Sequence, residues 1–319
     1  MGIKNLNKFL KTNLKYTPLI VKLEDLSGST IAVDAPPFLF HIKYNPNWEN
    51  RLETYLNLYE INNIKLVFVL EGVAPKEKKN THLKRAELKS KAKEITERFK
   101  VIKSNLELNN QPSDDDVIFW KNRRATSRMN FKDEPLNIFS LNAALSQRER
   151  VENTAPKQED WIKFEAIVSK KYQVIHAPGE AEHFCAQLYH SNLCDYVWSA
   201  DSDTLTYGCG FVIDKVENNT VSVYVLSDIL NKMQMSFDSF LSFCICCGCD
   251  YNEGIFKKGP VTMYDICKDG KCLELLTKDE IEKLNYFVCK DIFLSARVPL
   301  RDDIIVEQQL KYTPNYTYM

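Results

Sequence analysis

Four carboxylates stand in two tight pairs, Glu180/Glu182 and Asp201/Asp203, inside the stretch Tyr172–Gly208. Acids brought that close repel unless a cation sits among them. A hard divalent ion that takes oxygen ligands, Mg2+ or Mn2+, is the economical partner. Either pair alone also fits a structural role, as acids at a helix start favoured by the helix dipole or as an Asp-rich turn. What joins them favours the chemical reading. Ala177-Pro178-Gly179 is a breaker, and EAEHFCAQLYH then reads as an amphipathic helix. DYVWSA is a short apolar, aromatic run that predicts a strand ending on Asp201.

More acids follow predicted strands. STIAVDAPPFLF holds a strand from Ile31 to Val33 that closes on Asp34, and IKLVFVLEG holds a buried strand that closes on Glu71-Gly72. In parallel α/β sheets, ligands bind outside the carboxyl ends of the strands. Three strands that each finish on a carboxylate, beside a Glu-x-Glu pair, predict a metal-binding acid cluster there. A predicted apolar helix, Phe237 to Cys247, stops at Gly248 and delivers Asp250 just beyond its end.

The remaining elements must frame that cluster. GIKNLNKFLKTNL predicts a short helix with Ile3, Leu6, Phe9 and Leu10 on one face, and Trp48 to Glu60 predicts another. The stretch after Glu71 is strongly basic, and helical spacing groups Lys78, Arg85 and Lys89 on one side. Such a helix can grip backbone phosphates without reading sequence; with Glu87, Glu94 and Glu97 it also fits a solvated, salt-bridged helix. Residues 106–154 show few sustained periodicities and read as a cap, mobile loop or partly disordered insert. Within them, Phe119 and Trp120 beside Lys121, Arg123, Arg124 and Arg128 could stack on bases or anchor the insert. A helix resumes near Asp160 and runs to about Lys170, and Phe211 to Leu226 reads as a hairpin turning at Glu217-Asn218-Asn219. Asn252 to Thr262 is a glycine-containing turn before a helix from Val261 to Lys268. Its backbone N–H groups could meet a phosphate, with Lys257 and Lys258 adding charge.

Composition bounds the reading. The chain has 319 residues, 44% hydrophobic and 27% charged, with a net charge of −1. That suffices for a large core, and a nucleic-acid partner would need a local basic face. No apolar run approaches the roughly 18 residues of a membrane span. Ten cysteines without a secretory signal predict reduced thiols in a nuclear or cytoplasmic setting. Cys244, Cys246, Cys247 and Cys249, with Cys267 and Cys272, do not match paired C-x2-C knuckles. They read as buried free thiols, and His183 and His190 as surface or packing residues.

MGIKNL at the start, VDA at Asp34, a strand ending in Glu-Gly before a Lys/Arg-rich helix, APGEAE, DSDTLTYG, and CGCDY followed by Gly259-Pro260 occur in one order. Together they resemble the flap endonuclease/XPG family of structure-specific 5′ nucleases, and the likeness runs from Met1 to about Lys268 except in 106–154. A compact, diverged member, as in large DNA viruses of eukaryotes, fits. The resemblance implies a mostly parallel, twisted α/β sheet of the PIN/5′ nuclease kind with helices on both sides. It also implies a helical arch or cap insertion and a helix–two-turn–helix that holds duplex DNA. The implied regions are 1–105, an N-terminal nuclease region; 106–154, the cap, arch or flexible insertion; and 155–319, an internal nuclease region with the helix–two-turn–helix.

The same resemblance implies roles. Asp34, Glu71, Glu180, Glu182, Asp201, Asp203 and Asp250 match metal-site acids that would hold two Mg2+ ions, with Mn2+ as the alternative. Lys78 and Arg85 match residues that contact the scissile phosphate. Gly2, Lys84, Lys89, Lys257, Lys258 and Gly259 fall where nucleic acid would pass. The implied reaction is phosphodiester hydrolysis near single-strand/double-strand junctions of DNA, in replication, repair or recombination, by a monomer. The alternatives are an endoribonuclease degrading mRNA and a catalytically impaired nucleic-acid-binding scaffold. Glu71 is a departure, since the family has Asp there. Its extra methylene moves the carboxylate by on the order of 1 Å, and Mg2+ demands tight octahedral geometry, which implies weakened activity and better use of Mn2+. Lys257 and Lys258 replace Gly and an apolar residue, and Val261-Thr262 replaces a basic pair, which weakens the implied duplex grip and potassium-type site. QQLKYTPNYTYM shows no sliding-clamp-binding box.

Overall fold

The structure is a computed structural model. It describes residues 2–300 except 74, 109, 127–133 and 218, and not the side chains of 80, 82, 123–126 and 214–217. The side chains of Arg123, Arg124 and Arg128, and the stretch QQLKYTPNYTYM, therefore lie outside the described residues. The chain divides into two compact units, residues 1–79 with 157–319, and residues 80–156. Residues 80–105, assigned from sequence to the N-terminal nuclease region, thus group with the insertion that follows them.

In chain order the elements are α1 (Leu6–Thr12), β1 (Leu19–Lys22), β2 (Thr30–Asp34), α2 (Ala35–Lys43), α3 (Trp48–Ile61), β3 (Lys65–Leu70), α4 (Lys79–Glu107), α5 (Asp114–Thr126), α6 (Ile138–Thr154), α7 (Gln158–Val168), β4 (Gln173–His176), α8 (Ala181–His190) and β5 (Tyr196–Trp198). There follow α9 (Asp203–Thr206), β6 (Phe211–Glu217), β7 (Thr220–Val225), α10 (Leu226–Met233), α11 (Phe237–Cys247), α12 (Pro260–Cys267), α13 (Cys272–Leu275), α14 (Lys278–Lys283) and α15 (Tyr286–Ser295).

The first unit is built on one sheet, in the order β1-β7-β6-β5-β2-β3-β4. The run from β6 to β4 is parallel, and β7 and β1 add antiparallel strands at one side. The mostly parallel sheet is as expected. Both of its faces are covered, which is why β2 and β3 read as continuous apolar runs. Leu66, Phe68, Ile31 and Val33 pack on one face with α2, α3 and α7; Ala32 and Val69 pack on the other with α1, α8 and α11. Ser239 to Cys247 of α11 are all buried, as suits a helix apolar all round.

The chain moves from β2 outward to β3 and β4, then returns through α8 to β5 on the other side of β2. That reversal opens a crevice above the carboxyl ends of β5, β2 and β3. Register aligns those ends, since Val33 pairs with both Phe68 and Trp198.

In the second unit, where the sequence left a cap, a mobile loop or a partly disordered insert open, residues 114–126 and 138–154 are helices. Ile95, Phe99 and Ile102 of α4 form a small core with Trp120 of α5 and Leu141 and Ala144 of α6. Each helix contributes too few apolar residues for a clear periodicity, so only their packing reveals the core. Phe119 and Trp120 act as anchors here. Trp120 is buried and donates to the Glu134 carbonyl at 3.2 Å, and the Arg98 guanidinium lies 4.2 Å over the Phe119 ring. Asp114-Asp115-Asp116 forms the first turn of α5, where the helix dipole favours acids, and Asp115 pairs with Arg98 at 2.6 Å. No described helix is long and apolar enough to cross a membrane.

Candidate metal centre and nucleic-acid interface

The acids reach the crevice from four kinds of local structure. Asp34 is the last residue of β2 and the N-cap of α2, with Pro36 fixing the first turn. Glu71 follows β3 directly. Gly72 then passes so close to the loop before α8 that a Cβ would meet the Ala177 carbonyl oxygen at 1.9 Å. Glu180 occupies the N-cap position of α8 and Glu182 lies in its first turn. Asp201 follows β5, Asp203 opens α9, and Asp250 follows α11.

Glu182, Asp201 and Asp203 converge most tightly, each offering an oxygen within 4.8 Å of the others. Asp203 is fully buried, and neither of its carboxylate oxygens has a hydrogen-bond partner. A buried charge left so is costly unless a cation or proton joins it. Magnesium–oxygen bonds of about 2.1 Å put neighbouring octahedral ligands about 3.0 Å apart and opposite ones about 4.2 Å apart, so three oxygens within 4.8 Å of one another can close on one divalent ion. Burial pushes the carboxyls of Glu182, Asp203 and Asp201 up, and the Asp201 charge raises Glu182 and Asp203 further. Burial also raises Asp34, to about 8; a hydrogen bond from Ser199 opposes this, and the charges of Glu71 and Asp201 add to it. Mutual repulsion of this kind marks a site shaped for positive charge.

One positive charge is supplied by the chain. Lys78 is buried, and its ammonium pairs with Glu180, with Glu182 at 3.3 Å and with Asp250 at 3.4 Å. Burial disfavours its charged form, but the Glu182 and Glu180 charges outweigh that and raise its pKa. Lys78, expected to contact a phosphate, here contacts the acids themselves. Glu71 is exposed and accepts a 3.3 Å hydrogen bond from the Ala181 N–H at the start of α8. It stands at the edge of the cluster, near enough to raise Asp34.

Three supporting residues escaped the sequence reading. Ser199 donates to Asp34 at 2.8 Å and accepts from the Asp201 N–H at 3.1 Å. Tyr251 donates to Glu180 and lies 3.0 Å from the Tyr207 hydroxyl. The available signal was proximity in sequence, since Ser199 sits between β5 and Asp201 and Tyr251 adjoins Asp250.

Gly2 is integral to the centre. It has φ +83°, and a Cβ there would fall 1.8 Å from Asp201 Oδ1. The adjacent Ile3 N–H donates to Ser202 at 2.9 Å. His183 and His190 make packing hydrogen bonds, to Ser295 and to the Tyr207 carbonyl.

The basic residues divide. Lys84, Arg85 and Lys89 are exposed on α4 in the second unit. Lys257 is exposed with φ +62°, the left-handed conformation that a glycine would adopt without strain. Lys258 is engaged by Glu280 at 2.5 Å, which offsets the charge expected of it. Gly259 is the N-cap of α12, with Pro260 at its start.

A mostly parallel sheet with a buried acid cluster at its switch point defines an α/β protein whose centre is built for cations. Residues 171–250 match the XPG I-region. The probable RAD2-like endonuclease 369L of Invertebrate iridescent virus 6 is 30% identical over 307 residues, covering 87% of this chain and 74% of that protein. Among solved structures, flap endonuclease-1 from Methanococcus jannaschii aligns with a TM-score of 0.58 at 18% identity, over 95% of this chain and 86% of that one. The catalytic core of Rad2 in complex with DNA substrate aligns with a TM-score of 0.53 at 19% identity, over 96% of this chain and 86% of that one. The chain belongs to the RAD2-like, flap endonuclease/XPG family of structure-specific nucleases. Nucleases of this family are metal-dependent, and the acid cluster accords with that.

Proposed function

We propose that the chain hydrolyses DNA phosphodiester bonds near single-strand/double-strand junctions as an Mg2+-dependent 5′ nuclease. The observation that carries the reading is the convergence of Glu182, Asp201 and Asp203, with both Asp203 oxygens unpartnered. The structural likeness to a Rad2 core solved with DNA substrate supports DNA as the ligand. Glu182, Asp201 and Asp203 would hold one Mg2+, and Asp34, Glu71, Glu180 and Asp250 would complete a two-ion site. Bound there, Mg2+ would acidify the attacking water and neutralise charge on the phosphate.

The chain's own groups do the rest. Ser199 orients Asp34, and Tyr251 orients Glu180. Lys78 balances the acids and would offer its charge to a phosphate entering the centre. Exposed Lys84, Arg85, Lys89 and Lys257 would hold phosphates without reading bases. Ten free, buried cysteines support a reducing nuclear or cytoplasmic setting.

A labelled 5′-flap DNA, incubated with the purified protein and Mg2+ or Mn2+, tests the proposal. Cleavage at the junction, lost in Asp201→Asn and on chelation, is expected. No cleavage with either ion overturns it. Preferential cleavage of competing RNA redirects it to an endoribonuclease.

A further inference from the structure

Three thiols meet inside the first unit, apart from the acids. Cys246 lies in α11, Cys267 ends α12 and Cys272 opens α13, with exposures of 0%, 0% and 3%. The Cys267 and Cys272 sulfurs are 2.9 Å apart, those of Cys246 and Cys272 3.5 Å, and all three lie within 4.8 Å. A disulfide needs about 2.05 Å, so none is formed. Ordinary apolar contacts settle at about 3.5–4.0 Å, so one pair is drawn closer than packing requires. A thiol is only a weak donor and a weak acceptor, and three of them satisfy one another poorly. Hydrogen bonds from Cys246 and Cys267 hold the Cys272 thiol down, whereas Cys246 is pushed up by its hydrogen bonds to Cys267 and Cys272 and by burial. One sulfur of the three is thus disposed to the thiolate form that ligates metal, and an ion would displace the protons of the others.

We propose that Cys246, Cys267 and Cys272 form a site for one thiophilic d10 ion, Zn2+ or Cu+, which ties α11, α12 and α13 together. The C-x-C-C-x-C run argued against zinc because it does not match paired C-x2-C knuckles. The fold selects only Cys246 from that run and completes the set with two later cysteines. Metal–sulfur bonds of about 2.3 Å in a trigonal plane put the sulfurs about 4.0 Å apart. The observed pairs need to open by about 1 Å and 0.5 Å to admit an ion. Each sulfur–metal bond replaces an S–H bond or a free thiolate, and the displaced protons pass to solvent. The ion would brace the turn that carries Lys257 from behind.

The test uses the full chain, reduced, stripped of metal and held in excess Mg2+ so that the acid centre does not compete. Co2+ is the probe, since cobalt–thiolate charge-transfer absorption reports sulfur ligation directly. About one equivalent should bind with that absorption. The absorption should survive Asp201→Asn/Asp203→Asn and vanish in Cys267→Ser and in Cys272→Ser. Displacement by Zn2+ or by Cu+ identifies the preferred ion. No thiolate band in the wild-type protein overturns the site, whatever the variants do, as does a band that persists in Cys246→Ser/Cys272→Ser. Flap cleavage is not the readout, so failure here and failure of the nuclease reading are separately visible.

Discussion

The Lys78 ammonium lies 3.3 Å from Glu182, a candidate metal ligand, and both side chains are buried. The lysine therefore acts as part of the acid centre. Lys78→Ala removes a charge that the acids need, while leaving the carboxylates in place. We expect kcat on flap DNA to fall about 10²-fold, the cost of losing one preorganised charge at a reacting centre. The melting temperature in chelator should also fall, and Mg2+ should restore it. An unchanged cleavage rate would remove Lys78 from the catalytic machinery.

Gly2→Ala probes the N-terminal contact. The added Cβ would collide with Asp201 Oδ1 at a backbone φ of +83°. Displacing a ligand by about 1 Å costs about 10²-fold in rate. Single-turnover cleavage should show that loss while circular dichroism stays native. Full activity would mean that the segment yields without disturbing Asp201.

Asp203→Asn should separate stability from function. Asp203 is a buried charge with no partner for either oxygen, so neutralising it should stabilise the metal-free fold by on the order of 1 kcal/mol. Cleavage should collapse, and the rise in melting temperature on adding Mg2+ should shrink. Denaturant titrations in chelator and in Mg2+ read both effects.

The pH dependence follows in sign. Asp34 is raised to about 8, and Glu182, Asp201 and Asp203 are raised as well, chiefly by burial. Raised carboxyls bind protons in the folded state before the unfolded chain does. The metal-free protein should therefore gain stability as pH falls from about 9 to about 6, by about 1.4 kcal/mol per pH unit for each extra proton held. Saturating Mg2+ should flatten that slope. A metal-free protein that loses stability over this range would contradict the burial of the cluster.

Trp120→Ala tests the second unit. It removes a buried ring from a core of few residues together with the hydrogen bond to Glu134. A loss of about 3 kcal/mol should appear as faster amide exchange at Ile95–Ile102 and Leu141–Ala144. Unchanged exchange would mean that the helices hold without this core.

Much of the frame was legible because it is local. Ile31 to Val33 and Leu66 to Leu70 are apolar runs bounded by polar residues, and such runs form strands wherever both faces are covered. Asp34 ends a strand, and Glu71, Asp201 and Asp250 each follow the end of an element, so chain order alone pointed to a shared crevice. The helices of residues 114–126 and 138–154 were not legible, since their few apolar residues become a core only by meeting α4. Lys257 and Lys258 look alike in sequence, and the fold distinguishes them: Glu280 approaches Lys258, while Lys257 is exposed in a left-handed conformation.

The acid pairs of Tyr172–Gly208 were set by sequence: two carboxylates at a helix start and two after a strand, by the spacing of breakers and apolar residues. Which charges face one another was decided by the tertiary structure. Register across β5, β2 and β3 gathers the acids, and the turn at Lys76–Lys78 sends a lysine among them. The three thiols likewise come from three elements and meet only when α11, α12 and α13 pack. Short-range pattern determines backbone conformation, whereas electrostatic and ligand geometry depend on distances between residues far apart in the chain, which only packing sets.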